Sequence, residues 1–306
     1  MSVFPIRRVD RKQAEASEVL GSKPKFWFRE HNQWLLFKAD DRGTGEDWAE
    51  VIACHLCGVL GLPHVQYELA AEYDDDVFLR PGVVCARMAL DFDVLVLGNL
   101  LLLVVDPAYP NLLRFHVRQH TVDAVAGVLG QLELPPMDWC SNLPIGIESA
   151  IDVFVGYVML DAWIANPDRH HENWGAIFDD KMRLAPTFDH GAALGRNLLD
   201  TERKERLATR DRNRTVEAFV SRGRSAFYRS DADERPLGTV EAFQAFADRS
   251  LQAKQTWIQR LIAVNPEVVL DIIERVPANR MTPVCKEFTY KLLIENQRRL
   301  LALGNL

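Results

Sequence analysis

Three side chains have the types and spacing for metal-assisted group transfer: Asp168, Asn173 and Asp189. They lie in the run Asn166-Pro167-Asp168-Arg169-His170-His171-Glu172-Asn173-Trp174-Gly175 and in Phe188-Asp189-His190-Gly191. An amide oxygen and a carboxylate are hard ligands, and Mg²⁺ takes one or two carboxylates while leaving positions for phosphate oxygens. Asp168, five residues before Asn173, adds a carboxylate able to act as a base. That chemistry requires the chain to fold Asn173 back beside Asp189.

The flanking pattern supplies the means. Residues 147–165 (IESAIDVFVGYVMLDAWIA) are apolar on nearly every face, the mark of a helix buried inside a domain. Pro167 is expected to end it, since the residue before a proline is pushed out of helical geometry. Six polar or charged residues, Asp168 to Asn173, then emerge from a rigid apolar support, where chemistry is usually placed. Trp174–Phe178 reads as a strand, Asp179-Asp180-Lys181 as a turn, and Arg183–Thr187 as the returning strand. A turn centred near Asp180 sets Asn173 opposite Phe188, beside Asp189, and cross-strand neighbours sit ~5 Å apart. Asp161 either tethers the loop by hydrogen bonds or sits at a solvent-reached turn. Arg169 and His170 read as braces, and His171 as exposed.

D-R-H-x-x-N followed by F-D-H-G resembles the catalytic and metal-binding motifs of protein-kinase-like phosphotransferases, most of all the HipA-like serine/threonine kinases. Phosphatidylinositol kinases share the D-R-H/G-x-x-N form. The resemblance is specific over Asp168–Asp189 and diffuse along the rest of the chain. It implies an α+β, bilobal protein-kinase-like fold. Residues 1–90 would form a small antiparallel-sheet lobe, and residues 91–306 a larger, mainly helical one. ATP and Mg²⁺ would be the cofactors, with Asp168 orienting or deprotonating the acceptor hydroxyl and Asn173 and Asp189 binding metal.

The upstream chain fits that outline. Phe26-Trp27-Phe28, a turn over Glu30–Gln33, and Trp34–Ala39 read as strand, turn, strand. Lys38 is a charge at the end of an apolar strand, and in a kinase-like small lobe that position grips the α- and β-phosphates. By the same likeness the loop at Gly21, Ser22 and Lys23 would cover them, although it is poorer in glycine than G-x-G-x-x-G. Thr44-Gly45-Glu46-Asp47 reads as a capping-box start. The helix it opens carries Trp48, Val51, Ile52, Leu56 and Val59 on one stripe. Glu50, on a face of small residues, resembles the helix glutamate that pairs with the strand lysine, with Glu46 as the fallback. Val65–Ala70 and Val77–Met88 read as further strands of a mainly antiparallel sheet, with Asp74-Asp75-Asp76 as the turn. The chain is expected to cross between lobes near Met88–Asp93.

Bulk properties narrow the field. The 306 residues are 48% hydrophobic with net charge −7, which argues against direct nucleic-acid binding. The longest apolar run, Val94–Val105, is far short of the ~20 residues that span a bilayer. Five cysteines form no even framework and no apolar leader opens the chain, which points to reduced thiols and a cytoplasmic protein. Residues 1–20 read as an extension or short helix, and His116–Leu132 as a helix. Residues 202–224 hold eight basic and four acidic side chains, a solvated run or a docking segment for an acidic partner. Val240–Leu261, Pro266–Arg275 and Thr282 to about Leu303 read as helices. A protein serine or threonine is the expected acceptor, and an antitoxin-like or regulatory protein a possible partner by resemblance. The alternatives are a lipid or small-molecule kinase, a non-catalytic module, and a metal hydrolase using His170, His171 and Asp189.

Overall fold

The computed structural model describes residues 2–17, 24–41, 43–89 and 93–305. Gly21, Ser22, Lys23 and part of the expected lobe crossing lie outside them. One six-stranded sheet runs β1 (Arg7–Asp10), β2 (Ala16–Ser17), β3 (Lys25–Glu30), β4 (Gln33–Ala39), β5 (Tyr67–Asp74) and β6 (Val77–Ala86), in spatial order β1-β5-β6-β4-β3-β2. β1 pairs parallel to β5, so the sheet is mixed rather than antiparallel throughout. Residues 7–10 are therefore a strand, not part of an extension or helix. β1 buries only Val9, too short a pattern to show alternation. β3 and β4 are joined at His31 and Asn32, both with positive φ, as a two-residue hairpin turn requires.

α1 (Glu46–Leu60) packs on β5 and β6, where Tyr67, Leu69, Val83 and Cys85 face it. The opposite face carries a smaller cluster of Phe26, Phe28, Phe37 and Val84. The helix does not start on a threonine cap. Gly45 is the cap, at φ 89°, where a Cβ would strike the Trp48 ring. The Asp40 carboxylate instead accepts from the Thr44 and Gly45 amides. Val59, expected on the buried stripe, is exposed, while Glu46 and Glu50 are buried.

A three-stranded antiparallel sheet, β7 (Val94–Leu97), β8 (Gly175–Phe178) and β9 (Met182–Leu184), holds the hairpin foreseen around Asp180. Helices surround it: α2 (Gly98–Val105), α3 (Val122–Leu129), α4 (Ala150–Trp163), α5 (Asp200–Ala208), α6 (Val216–Ser221), α7 (Thr239–Ala247), α8 (Leu251–Ile262), α9 (Pro266–Glu274) and α10 (Pro283–Leu301). α3 begins at Val122, six residues later than the expected His116, behind Thr121, whose hydroxyl accepts from the Ala124 amide. The basic stretch forms α5 and α6 with exposed Arg210, Arg212 and Arg214 between them.

α4 is the buried axis. Ser149 and Asp152 close a capping box at its start. Its end is set by Ala165 at φ 52°, ahead of Pro167, which lies two residues past the reversal. α7, α8 and α10 pack around it. The Trp163 indole donates to the Leu293 carbonyl at 3.1 Å, and Asn296 donates to the Trp163 carbonyl at 3.1 Å. Gly156 lets α8 approach: a Cβ there would lie 2.5 Å from the Trp257 ring and 2.7 Å from Leu62. Alanine is normally the better helix former, but here Gly156→Ala is expected to destabilise the fold by about 1–3 kcal/mol through overpacking. Urea unfolding of the two proteins checks this, and an unchanged or higher midpoint would refute it.

Candidate active site

Lys38 is the hub. It leaves the inner face of β4 and its ammonium meets Glu50 Oε1 of α1 at 2.8 Å and Asp189 Oδ1 at 2.7 Å. The lysine and glutamate side chains are 12% and 3% exposed, whereas Asp189 is 32% exposed and opens onto a cleft. Burial alone would lower the lysine pKa, but Asp189 and Glu50 outweigh it and hold the ammonium well above its ordinary value. Burial pushes Glu50 upward, against the pull of Lys38. The second glutamate oxygen accepts from the His190 amide at 2.8 Å, so α1 also grips the backbone after Asp189. Tyr67 completes the enclosure: its hydroxyl accepts from the Asp189 amide at 3.3 Å, and its ring lies 5.3 Å from the ammonium. Glu46 does not meet the lysine and pairs with Arg196 at 2.6 Å.

Asp189 is brought there by the chain before it. The Val65 amide donates to the Thr187 carbonyl and the Thr187 amide to the Pro63 carbonyl, tying this segment to the start of β5. Asp189 itself adopts φ 58°. The hairpin register pairs Ala176 with Leu184, Ile177 with Arg183 and Phe178 with Met182. Extended outward, it sets Asn173 opposite Thr187, one residue from the expected partner. The link between the two segments is a side chain instead. The Arg169 guanidinium donates to the Asn173 carbonyl at 2.9 Å and to the Phe188 carbonyl at 3.4 Å.

Arg169 is buried and is neutralised by Asp161, which accepts from its Nε and Nη2 at 2.8 Å each. Asp161 also accepts from Asn166 Nδ2 at 2.7 Å, and Asn166 Oδ1 accepts from the Asp168 amide at 3.1 Å. Asp161 is thus the tether of the loop rather than a solvated turn residue. Asn173 Nδ2 donates to the Asp168 carbonyl at 2.7 Å, which turns its amide oxygen away from that loop. His171 is buried, not exposed, with Nδ1 2.8 Å from the Tyr109 hydroxyl.

The cleft brings Lys38, Glu50, Asp168 and Asp189 to one surface, together with Lys25, Arg114 and Arg196. Lys25 stands directly across from Lys38 in the β3–β4 ladder, and both line the cleft. Lys25 was legible once the turn at His31-Asn32 set the register. Tyr67, Arg114 and Arg196 carried no such signal, because they arrive from distant segments. Among the described residues no cluster of three His, Cys, Asp or Glu side chains could hold a metal. An amide oxygen and a carboxylate, such as Asn173 and Asp189 carry, are hard donors of the kind Mg²⁺ takes, but only Asp189 lines the cleft, and Asn173 is 3% exposed.

No family model matches this sequence, and no curated protein matches it. Solved structures do. The Helicobacter pylori proinflammatory kinase CtkA superposes with a TM-score of 0.73 at 16% identity, over 98% of this chain and 97% of that one. The fold is that of a HipA-like kinase. HipA of the Shewanella oneidensis MR-1 toxin–antitoxin system, in a complex with HipB and operator DNA, superposes with a TM-score of 0.55 at 12% identity. That match covers 93% of this chain and 65% of HipA, so this chain spans under two thirds of its length.

Two measurements test the site's electrostatics. Asp161→Ala leaves a buried guanidinium uncompensated and is expected to cost about 3–5 kcal/mol, read from the urea midpoint. A loss below 1 kcal/mol would contradict the tether. Burial lowers His120 and His170 to about 3. Their folded values lie below the unfolded value near 6.5, so the unfolded chain binds the extra protons as pH falls below that point. Stability is therefore lost from about pH 6.5 downward, by about 1.4 kcal/mol per pH unit for each imidazole. Asp47, raised to about 6 by burial, acts in the opposite sense over part of that range. The sharper readout is NMR: the C2–H resonances of His120 and His170 should not titrate between pH 5 and 8.

Proposed function

We propose that this chain is an ATP- and Mg²⁺-dependent kinase that transfers the γ-phosphoryl group to a serine or threonine hydroxyl of a protein. The observation that carries this is the paired contact of Lys38 with Glu50 and Asp189, in one cleft with Asp168. The fold shared with CtkA and HipA supports it. In this reading residues 1–90 form the smaller lobe and residues 91–306 the larger, with the cleft between them.

Each residue has a definable task. Lys38 uses two of its three N–H donors on Glu50 and Asp189 and offers the third to a phosphate oxygen. Glu50 keeps the ammonium aimed at the cleft. Asp168 receives the acceptor proton while the acceptor oxygen bonds to the γ-phosphorus. The bond from that phosphorus to the β–γ bridging oxygen breaks, and its electron pair leaves with ADP. Mg²⁺, held by Asn173 and Asp189, would offset the negative charge of the phosphates. Catalysis is then positioning and electrostatics.

A lipid or small-molecule acceptor is the second reading, favoured by the D-R-H-x-x-N form of the loop. HipB in the Shewanella complex motivates an antitoxin-like or regulatory partner for this chain as well. Five free cysteines fit a cytoplasmic setting, and among the described residues no helix is long and apolar enough to cross a membrane.

Asp168→Asn should lower phosphoryl transfer from labelled ATP by ~10²–10⁴-fold while retaining ATP binding. Mass spectrometry of the products and an ATP-dependent shift in Tm measure the two effects. Near-normal transfer by the variant would remove Asp168 from the reaction.

A further inference from the structure

Asp168 and Arg114 line two hollows. One is the charged cleft containing Lys38, Glu50 and Asp189. The other is walled by Phe115, Pro167, His170, Ala226, Tyr228 and Pro236. We infer that this second hollow receives the polypeptide bearing the acceptor hydroxyl and selects an apolar side chain next to it. The inference rests on the kinase reading above and deepens it.

The first argument is geometric. In phosphoryl transfer the attacking and leaving oxygens lie roughly in line, so the acceptor must approach from space the nucleotide does not fill. The second hollow reaches Asp168 without sharing the lysine end of the cleft.

The second argument is the chemistry of the wall. Several of its polar groups are committed to protein partners, although His171 Nε2, also in the lining, has none. The Trp174 indole donates to His120 Nε2 at 3.2 Å, which leaves the proton on Nδ1, 3.0 Å from the Ala226 carbonyl. The Ser225 hydroxyl donates to the Leu237 carbonyl at 3.0 Å and accepts from the Phe227 amide at 3.2 Å. His170 Nδ1 accepts from the Glu172 amide at 3.1 Å. Between these groups Phe115, Val117, Pro167, Ala226 and Pro236 present hydrocarbon, against which an apolar side chain packs without needing a polar partner.

The rim supplies the third argument. Phe115 is 59% exposed and meets the His170 ring edge-on, at 5.6 Å between centroids. Leu112 and Leu113, separated from it by Arg114, are exposed as well. The apolar wall therefore continues outward onto the surface, as expected where a partner chain lies. From 112 to 118 the cations are Arg114, Arg118 and His116 when protonated, too few for attachment to an anionic bilayer. A polypeptide is the occupant that this surface fits.

A positional-scanning library of peptides with a central serine or threonine tests it, with Mg²⁺ and labelled ATP and the full chain as enzyme. The wild type should prefer Leu, Met or Phe over Asp at one neighbouring position by about tenfold or more. Ala226→Trp fills the hollow, and Phe115→Asp places a carboxylate at its exposed rim with little threat to folding. Both should raise KM for the preferred peptide at least about tenfold with kcat within about twofold, and flatten the preference. Peptide phosphorylation with no positional preference, or the same preference in both variants, overturns the inference. So does transfer to phosphatidylinositol in phosphatidylcholine vesicles, or ATP turnover lost in Asp168→Asn, without phosphopeptides; in those cases the kinase reading stands. Absence of any ATP turnover sinks that reading and the inference with it.

Discussion

One ammonium group, largely removed from water, joins three parts of the chain that are otherwise far apart. Lys38 belongs to β4, Glu50 to α1 and Asp189 to the segment after β9. Removing one partner from such a group leaves an uncompensated buried charge, which costs several kcal/mol. The intact group contributes little net stability, because desolvation offsets most of the attraction. What it secures is position: the six-stranded sheet, its covering helix and the three-stranded sheet are held in one relative placement. With one cation between two carboxylates the group retains a net negative charge.

A second buried pair does the same for the loop. Arg169 reaches across from the loop to the carbonyls of Asn173 and Phe188, and Asp161 of α4 neutralises it. α4 is surrounded by α7, α8 and α10, so its end is held by packing on several sides. Asp168 stands at the border of the charged cleft and the apolar hollow, on a loop fastened through Asn166 and Arg169 to that helix. Side chains that must act together are thus attached to the two stiffest elements by ionic contacts, not by strand pairing. The hairpin supplies approximate approach, and the guanidinium supplies the final alignment. Asn173 consequently takes up its place through side-chain bonds although the ladder has already ended.

The residues proposed to carry the chemistry stand out in the sequence because their spacing is local. The polar run after an apolar helix marked Asp168 and Asn173, the turn at Asp179-Asp180 returned the chain to Asp189, and a charge closing an apolar strand marked Lys38. Glu50 stood out as a carboxylate among small residues, and its pairing with Lys38 is the one the structure contains. Asp161 could be read as tether or solvated residue, and only the position of Arg169 chose between them.

Tertiary structure decided everything that depends on chain segments meeting from a distance. β1 pairs parallel to β5 across about sixty residues, which a four-residue strand with one buried valine cannot announce. His171 is buried because Tyr109 approaches it, and α1 is capped at Gly45 while Asp40 accepts from the Thr44 and Gly45 amides just ahead of it. Periodicity and spacing report on neighbours within a turn or a hairpin, where the backbone alone sets the geometry. Burial, ion pairing and the boundary between a charged cleft and an apolar hollow arise only when the sheet, α4 and the loop from Leu112 to Val117 are assembled. The proposed chemistry is therefore written locally, while the boundary between cleft and hollow is not.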